Sequence, residues 1–111
     1  MAIKISEKSG ASVVRLEGRL TEGGVKELGA ALDGLASKKV GRIVLDCSTL
    51  ENLSSPGCMV LMGAFQKVQG YGGSVAVAGA NGSVRRVLGL VSLDRFLSCY
   101  DRIEDALVPG K

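Results

Sequence analysis

Histidine and tryptophan are absent from the 111 residues, and the only aromatic side chains are two phenylalanines and two tyrosines. Without histidine the chain cannot assemble a Ser-His-Asp or Cys-His nucleophile, and most zinc sites lose their usual nitrogen ligand. So few rings leave little surface on which nucleic-acid bases could stack. Charge of one sign is lacking too: 14 basic against 11 acidic residues give a net charge of only +3. The basic residues are scattered, with Lys38-Lys39 and Arg85-Arg86 the only adjacent pairs, so the footprint of a DNA or RNA binder is missing. No apolar run approaches the ~20 residues that cross a bilayer, and Met1 to Ser6 alternates like a strand rather than a signal sequence. A cytoplasmic protein with no membrane partner is the expectation. Three cysteines, Cys47, Cys58 and Cys99, are odd in number and lack metal-ligand or C-x-x-C spacing, which suits free thiols in a reducing compartment. No cofactor fingerprint is present. Gly79-Ala80-Asn81-Gly82-Ser83 lacks the lysine of a P-loop and the spacing of a dinucleotide turn, and is read as a tight connection.

What is there is a core of small aliphatic side chains. An apolar fraction of 46% supports one globular domain, residues 1–111, with a radius of gyration of about 13 Å expected from length. Ala2 to Glu7 and Ser12 to Glu17 alternate around Lys8-Ser9-Gly10-Ala11, the pattern of a hairpin with Ile3, Ile5, Val14 and Leu16 on one face. Val25, Leu28, Ala31, Leu32 and Leu35 then trace a helical stripe, although Gly29 and Gly34 each cost it roughly 1 kcal/mol against alanine. Arg42 to Cys47 is a short buried strand. A second helix runs to about Gln69, Ser74 to Ala78 form the next strand, and Asn81 caps a third helix carrying Val84, Val87, Leu88 and Val91 with Arg85-Arg86 on its solvated side. Leu93 to Tyr100 hold a helical turn and a short strand. Asp101 is placed to cap a last helix through Leu107, and Pro109-Gly110-Lys111 to fray. The order β-β-α-β-α-β-α-β-α implies an α/β domain with right-handed crossovers and later strands in parallel.

The stretch that organises the rest is Leu53-Ser54-Ser55-Pro56-Gly57-Cys58-Met59-Val60-Leu61, which joins the third strand to an apolar helix through two hydroxyls. Ser55 is read as the N-cap and Pro56 as the first helical residue, because serine accepts from a free backbone N–H and proline there forfeits no bond. A helix start at this point aims unpaired N–H groups and the positive dipole end at Ser54 and Ser55, where an anion could be held. A plain capping role for Ser55 stands beside that reading. Cys58 falls on the core side of the helix as a buried, inert thiol. No paired acid and base and no activated nucleophile are visible, so an enzyme is not expected.

Val13-Val14-Arg15-Leu16-Glu17-Gly18-Arg19-Leu20, Ile43-Val44-Leu45-Asp46 with Leu50, Ser55-x-Gly57 at a helix start, Val84-Arg85-Arg86-Val87-Leu88 and Leu93-Asp94-Arg95-Phe96 occur in that order over nearly the whole chain. Together they resemble the STAS domain of bacterial anti-sigma factor antagonists. The resemblance implies a STAS fold, a mixed and mostly parallel sheet of four to five strands packed against about four helices. It also implies a partner switch that controls transcription. Antagonists of this family bind an anti-sigma factor that is also a serine kinase, release the sigma factor, and are inactivated by phosphorylation of a serine at the start of the second helix; a phosphatase reverses it. By position that serine is Ser55, with Ser54 the alternative acceptor, Gly57 keeping the helix start open, and Thr21, Ser54, Ser55, Pro56 and Gly57 facing the partner. The chain departs from the family pattern at Ser54 and Thr21, where aspartates are usual, and at Pro56, where a second serine or threonine is common. The alternative is a STAS sensor module that binds a small anion or nucleotide at the same helix start without phosphorylation. By analogy the chain is a monomer or weak dimer.

Overall fold

Two left-handed residues start the fold. Ser9 and Gly10 have φ of 51° and 81°, the pair of positive angles that a type I′ turn requires, and the turn joins β1 (Ala2–Lys8) to β2 (Ala11–Arg19) as an antiparallel hairpin. Ile3 lies opposite Leu16 and Ile5 opposite Val14, so all four share a face as the alternation requires. The computed structural model describes residues 2–107. The expected fraying of Pro109-Gly110-Lys111 lies outside them.

From β2 the chain passes into α1 (Glu22–Ser37), then β3 (Arg42–Asn52), α2 (Ser55–Gly70), β4 (Ser74–Ala78), α3 (Gly82–Leu90), a 3₁₀ turn (Leu93–Arg95), β5 (Ser98–Tyr100) and α4 (Ile103–Leu107). The five strands lie in sequence order, β1-β2-β3-β4-β5; β1 is antiparallel and every later neighbour pair is parallel. Successive residues of a strand point to opposite faces, and the two faces hold separate cores. Val14, Leu16, Ile43, Leu45, Val75 and Val77 meet Leu28, Leu32, Leu61, Val68, Val84 and Leu88 of α1, α2 and α3 in the larger core. Val13, Val44, Ala76 and Ala78 point the other way and are covered by Ala106, Ile103 and Leu107 of the five-residue α4. Arg42 fastens that helix by donating from Nη2 to the Ala106 carbonyl at 2.8 Å. The radius of gyration is 12.3 Å, near the value length alone implies.

Two expectations are corrected here. The third strand does not end at Cys47: Thr49, Leu50 and Asn52 pair with Glu17, Gly18 and Arg19 beyond a register shift, and Leu50 is buried. Asp46 holds the irregular step by accepting from Ser48 N at 3.1 Å and Ser48 Oγ at 2.7 Å. The polar run Ser48 to Asn52 conceals a strand because its pairing, not its composition, keeps it extended. Asp101 does not cap α4, which begins at Ile103; its carboxylate instead accepts from Arg85 Nη2 at 2.6 Å. Arg85 and Arg86 both lie on the solvated side of α3 as expected, and Arg85 is paired there within the chain.

Candidate functional site

Because β2 and β3 are adjacent and parallel, the loops that leave their carboxyl ends start α1 and α2 side by side. That rim is where open α/β sheets collect ligands. At the start of α2, Ser54 is extended (φ −93°, ψ 164°) and its Oγ accepts from Gly57 N at 3.2 Å, while its carbonyl accepts from Cys58 N at 3.0 Å. Ser54, not Ser55, is the N-cap. Ser55 is the first helical residue and Pro56 the second, since proline is tolerated anywhere in a first turn whose N–H groups have no partner within the helix. Two serines precede one proline, so the local chemistry allows either serine to cap; the shift moves the Ser55 side chain out to solvent. Among the described residues no side-chain hydrogen bond engages it. One turn further on, Met59 is 75% exposed.

At the start of α1, Thr21 has the same construction. Its Oγ1 accepts from Gly24 N at 3.1 Å and its carbonyl from Val25 N at 2.9 Å. Thr21 was expected to face the partner but its capping role was not read; a threonine just before a helical stripe, three residues ahead of a free N–H, was the available signal. A third helix joins the rim through Asn81. Its Oδ1 accepts from Val84 N at 2.8 Å, and its Nδ2 donates to the Leu50 and Glu51 carbonyls at 3.2 Å and 3.3 Å, binding the start of α3 to the end of β3.

Gly57 welds the first two helix starts together. Instead of keeping the helix open, it is buried, and a Cβ placed there would collide with Leu20 Cδ2 and stand 3.2 Å from Leu53 Cδ1 and 3.3 Å from Ser54 Oγ. The Leu20 side chain, at the end of β2, therefore occupies the volume that any other residue at position 57 would fill. Thr21 and Ser54 are held on the two sides of a cleft of about 460 Å³. Leu20, Val25 and Pro56 supply its apolar surface, and Glu22 and Lys26 one charge of each sign. Thr21, Ser54 and Pro56 of the expected site thus line one cleft; Ser55, between two lining residues in sequence, is exposed and is not part of the lining, and Gly57 is buried.

Thiol chemistry finds no support at this rim. Cys58 is buried under the first turn of α2, and burial pushes its thiol up. Cys47 is pushed up to about 12 by burial first and then by the neighbouring Asp46 and Cys99. Neither is a thiolate near neutrality. Among the described residues no group of His, Cys, Asp and Glu is arranged to hold a metal ion, and no helix is long and apolar enough to cross a membrane.

The sequence profile of the family described as "Mlab, STAS domain" matches residues 3–105, and with them every element from β1 to α4. The chain belongs to the STAS domain family. Within it, the anti-sigma F factor antagonist of Paenibacillus polymyxa is 27% identical over 108 residues, 96% of this chain and 92% of that protein. A Thermotoga neapolitana homologue of an anti-sigma factor antagonist is 33% identical over 75 residues, 68% of this chain and 66% of that protein, so the chain spans about two thirds of that relative. The crystal structure of an anti-sigma factor antagonist from Mycobacterium paratuberculosis superposes with a TM-score of 0.86 at 27% identity, covering 96% of this chain and 90% of that one. The Bacillus cell fate determinant SpoIIAA in its phosphorylated form shares the fold at 18% identity, with a TM-score of 0.77 over 96% of both chains. The sheet and four helices of this STAS domain are those of the family.

Proposed function

We propose that this STAS domain is an anti-sigma factor antagonist that docks on an anti-sigma factor with serine kinase activity through the rim formed by Thr21, Ser54, Ser55 and Pro56, in the cytoplasm. The names of its relatives support the partner class. The observation that carries the reading is the division of labour between adjacent serines: the Ser54 hydroxyl is engaged as the cap, while that of Ser55 is exposed and unengaged beside the cleft. Ser55 is accordingly the proposed phosphoacceptor, with a phosphatase restoring the free hydroxyl. The module binds; it does not catalyse.

A phosphate on Ser55 adds a charge of about −1.5 to −2 at the positive end of α2, where each charge is favourable by about 0.3–1 kcal/mol, so the fold survives modification. Across an interface the same charge costs several kcal/mol against like charge or desolvation, and ~4 kcal/mol is roughly a thousandfold in Kd. Phosphorylation therefore blocks docking without unfolding. The test is a pull-down with the purified chain, intact-mass measurement of the recovered protein, and a binding isotherm for Ser55→Asp against the recovered anti-sigma factor. A Ser55→Asp variant that binds as tightly as the wild type removes the switch. The anion- or nucleotide-sensor alternative draws support from the cleft volume, which lies in the range of small-molecule pockets; titration with nucleotides and phosphate separates it from docking.

A further inference from the structure

We propose that the cleft between the starts of α1 and α2 receives an uncharged aromatic side chain of the docked protein partner, with a backbone carbonyl beside that ring accepting from the rim hydroxyls; this rests on the docking reading above.

Three features select that occupant. The walls are Leu20, Val25 and Pro56, so a ring entering between them removes apolar surface from water on both sides. Glu22 and Lys26, both exposed and one helical turn apart, carry opposite charges, so these side chains add no net charge at the mouth for a charged head group to pair with. A phosphate or nucleotide would also meet the Glu22 carboxylate, which opposes the pull of the two helix N-termini. The Thr21 and Ser54 oxygens each accept one backbone N–H, but a hydroxyl is a donor as well, and among the described residues neither O–H finds an acceptor. Two directed donors at the mouth of an apolar cleft suit a ring flanked by a peptide carbonyl. A volume of about 460 Å³ admits such a ring, and buried aromatic anchors seated in preformed pockets dominate the energetics of protein interfaces.

The structure keeps this cleft ready-made. Leu20 is locked against Gly57, so its wall does not collapse inward, and both rim hydroxyls are fixed by capping bonds. Ser55, exposed between two lining residues in sequence, is within reach of the same interface, which places the proposed phosphoacceptor next to the anchor pocket.

The test uses the full chain with ¹³C-labelled methyl groups. N-acetyltryptophanamide and N-acetyltyrosinamide are titrated against it, with inorganic phosphate as the contrasting probe. Either amide is expected to shift the Leu20 and Val25 methyl resonances saturably, and Val25→Lys, at a half-buried position packed against the core, is expected to weaken that binding about tenfold or more while the variant still unfolds cooperatively. Shifts caused by phosphate and not by the amides would overturn the proposal in favour of an anion site. If Thr21→Ala or Ser54→Ala abolishes capture of the anti-sigma factor while the amides move no methyl group, the anchor is wrong and docking stands. If the amides bind in the cleft but no anti-sigma factor is captured, the pocket chemistry holds and the docking reading fails.

Discussion

Replacing Gly57 by alanine sets two opposed effects against each other at the site. Alanine is the better helix former, by up to about 1 kcal/mol in a helix interior. Against it, the new Cβ falls on Leu20 Cδ2 and crowds Leu53 Cδ1 at 3.2 Å and the capping Ser54 Oγ at 3.3 Å. Leu20 is 8% exposed, so its methyl group can retreat only by displacing packed neighbours or by moving toward water. Overpacking of this kind costs typically about 1–3 kcal/mol, and returning a buried leucine to solvent costs about 1.5–3 kcal/mol. The collision outweighs the propensity gain, and Gly57→Ala is expected to lose about 1–2 kcal/mol, a fall in Tm of roughly 4–8 °C. Urea unfolding followed by circular dichroism measures it as a lower midpoint at unchanged slope. The cycle with Leu20→Ala is the sharper assay. Alone, Leu20→Ala leaves a cavity and costs about 2–5 kcal/mol; with Gly57→Ala the new methyl group fills part of it, so the double variant should be more stable than the sum of the singles by about 1 kcal/mol or more. A Gly57→Ala protein as stable as the wild type, or strictly additive singles, would show that the two helix starts are not locked through this contact.

Ser54→Ala should cost about 1 kcal/mol through loss of the cap and Ser55→Ala less than about 0.5 kcal/mol; the opposite ranking in thermal unfolding would return the cap to Ser55. Asn81→Asp keeps an acceptor for Val84 N but sets a carboxylate oxygen against the Leu50 and Glu51 carbonyls, so a loss of about 1–3 kcal/mol is expected in the same assay, and a stabilised variant would refute the tie between α3 and β3. Cys47 gives a pH dependence of definite sign: its folded thiol titrates near 12 against an ordinary 9.0, so the unfolded chain holds fewer protons between those values and stability falls as pH rises through that window. Urea midpoints at several alkaline pH values should fall less steeply for Cys47→Ala; an identical slope would mean that the burial of this thiol contributes nothing.

Much of the architecture was legible because its signals are local. The hairpin follows from alternation around Ser9-Gly10, α3 from Asn81 ahead of a helical stripe, and the parallel order from strands spaced by helices. The errors lie where two local solutions are nearly equal. Ser54 and Ser55 are equally good caps by composition, and the packing of Gly57 on Leu20 accompanies the choice of Ser54. Ser48 to Asn52 is polar enough for a loop, and only the pairing of Thr49 to Asn52 with Glu17 to Arg19 keeps it a strand. Asp101 had a helix start and a cation within reach, and Arg85, 16 residues away in sequence, took it.

The sequence by itself determined the order of strands and helices apart from the far half of β3, which faces they bury, and that a hydroxyl-rich turn opens the second crossover helix, since periodicity and turn chemistry act over a few residues. Tertiary structure alone decided which serine hydroxyl stays free, that Thr21 stands across from Ser54, and that an apolar cleft lies between them. Those depend on contacts between residues more than thirty positions apart, whose geometry exists only once β2 and β3 lie side by side.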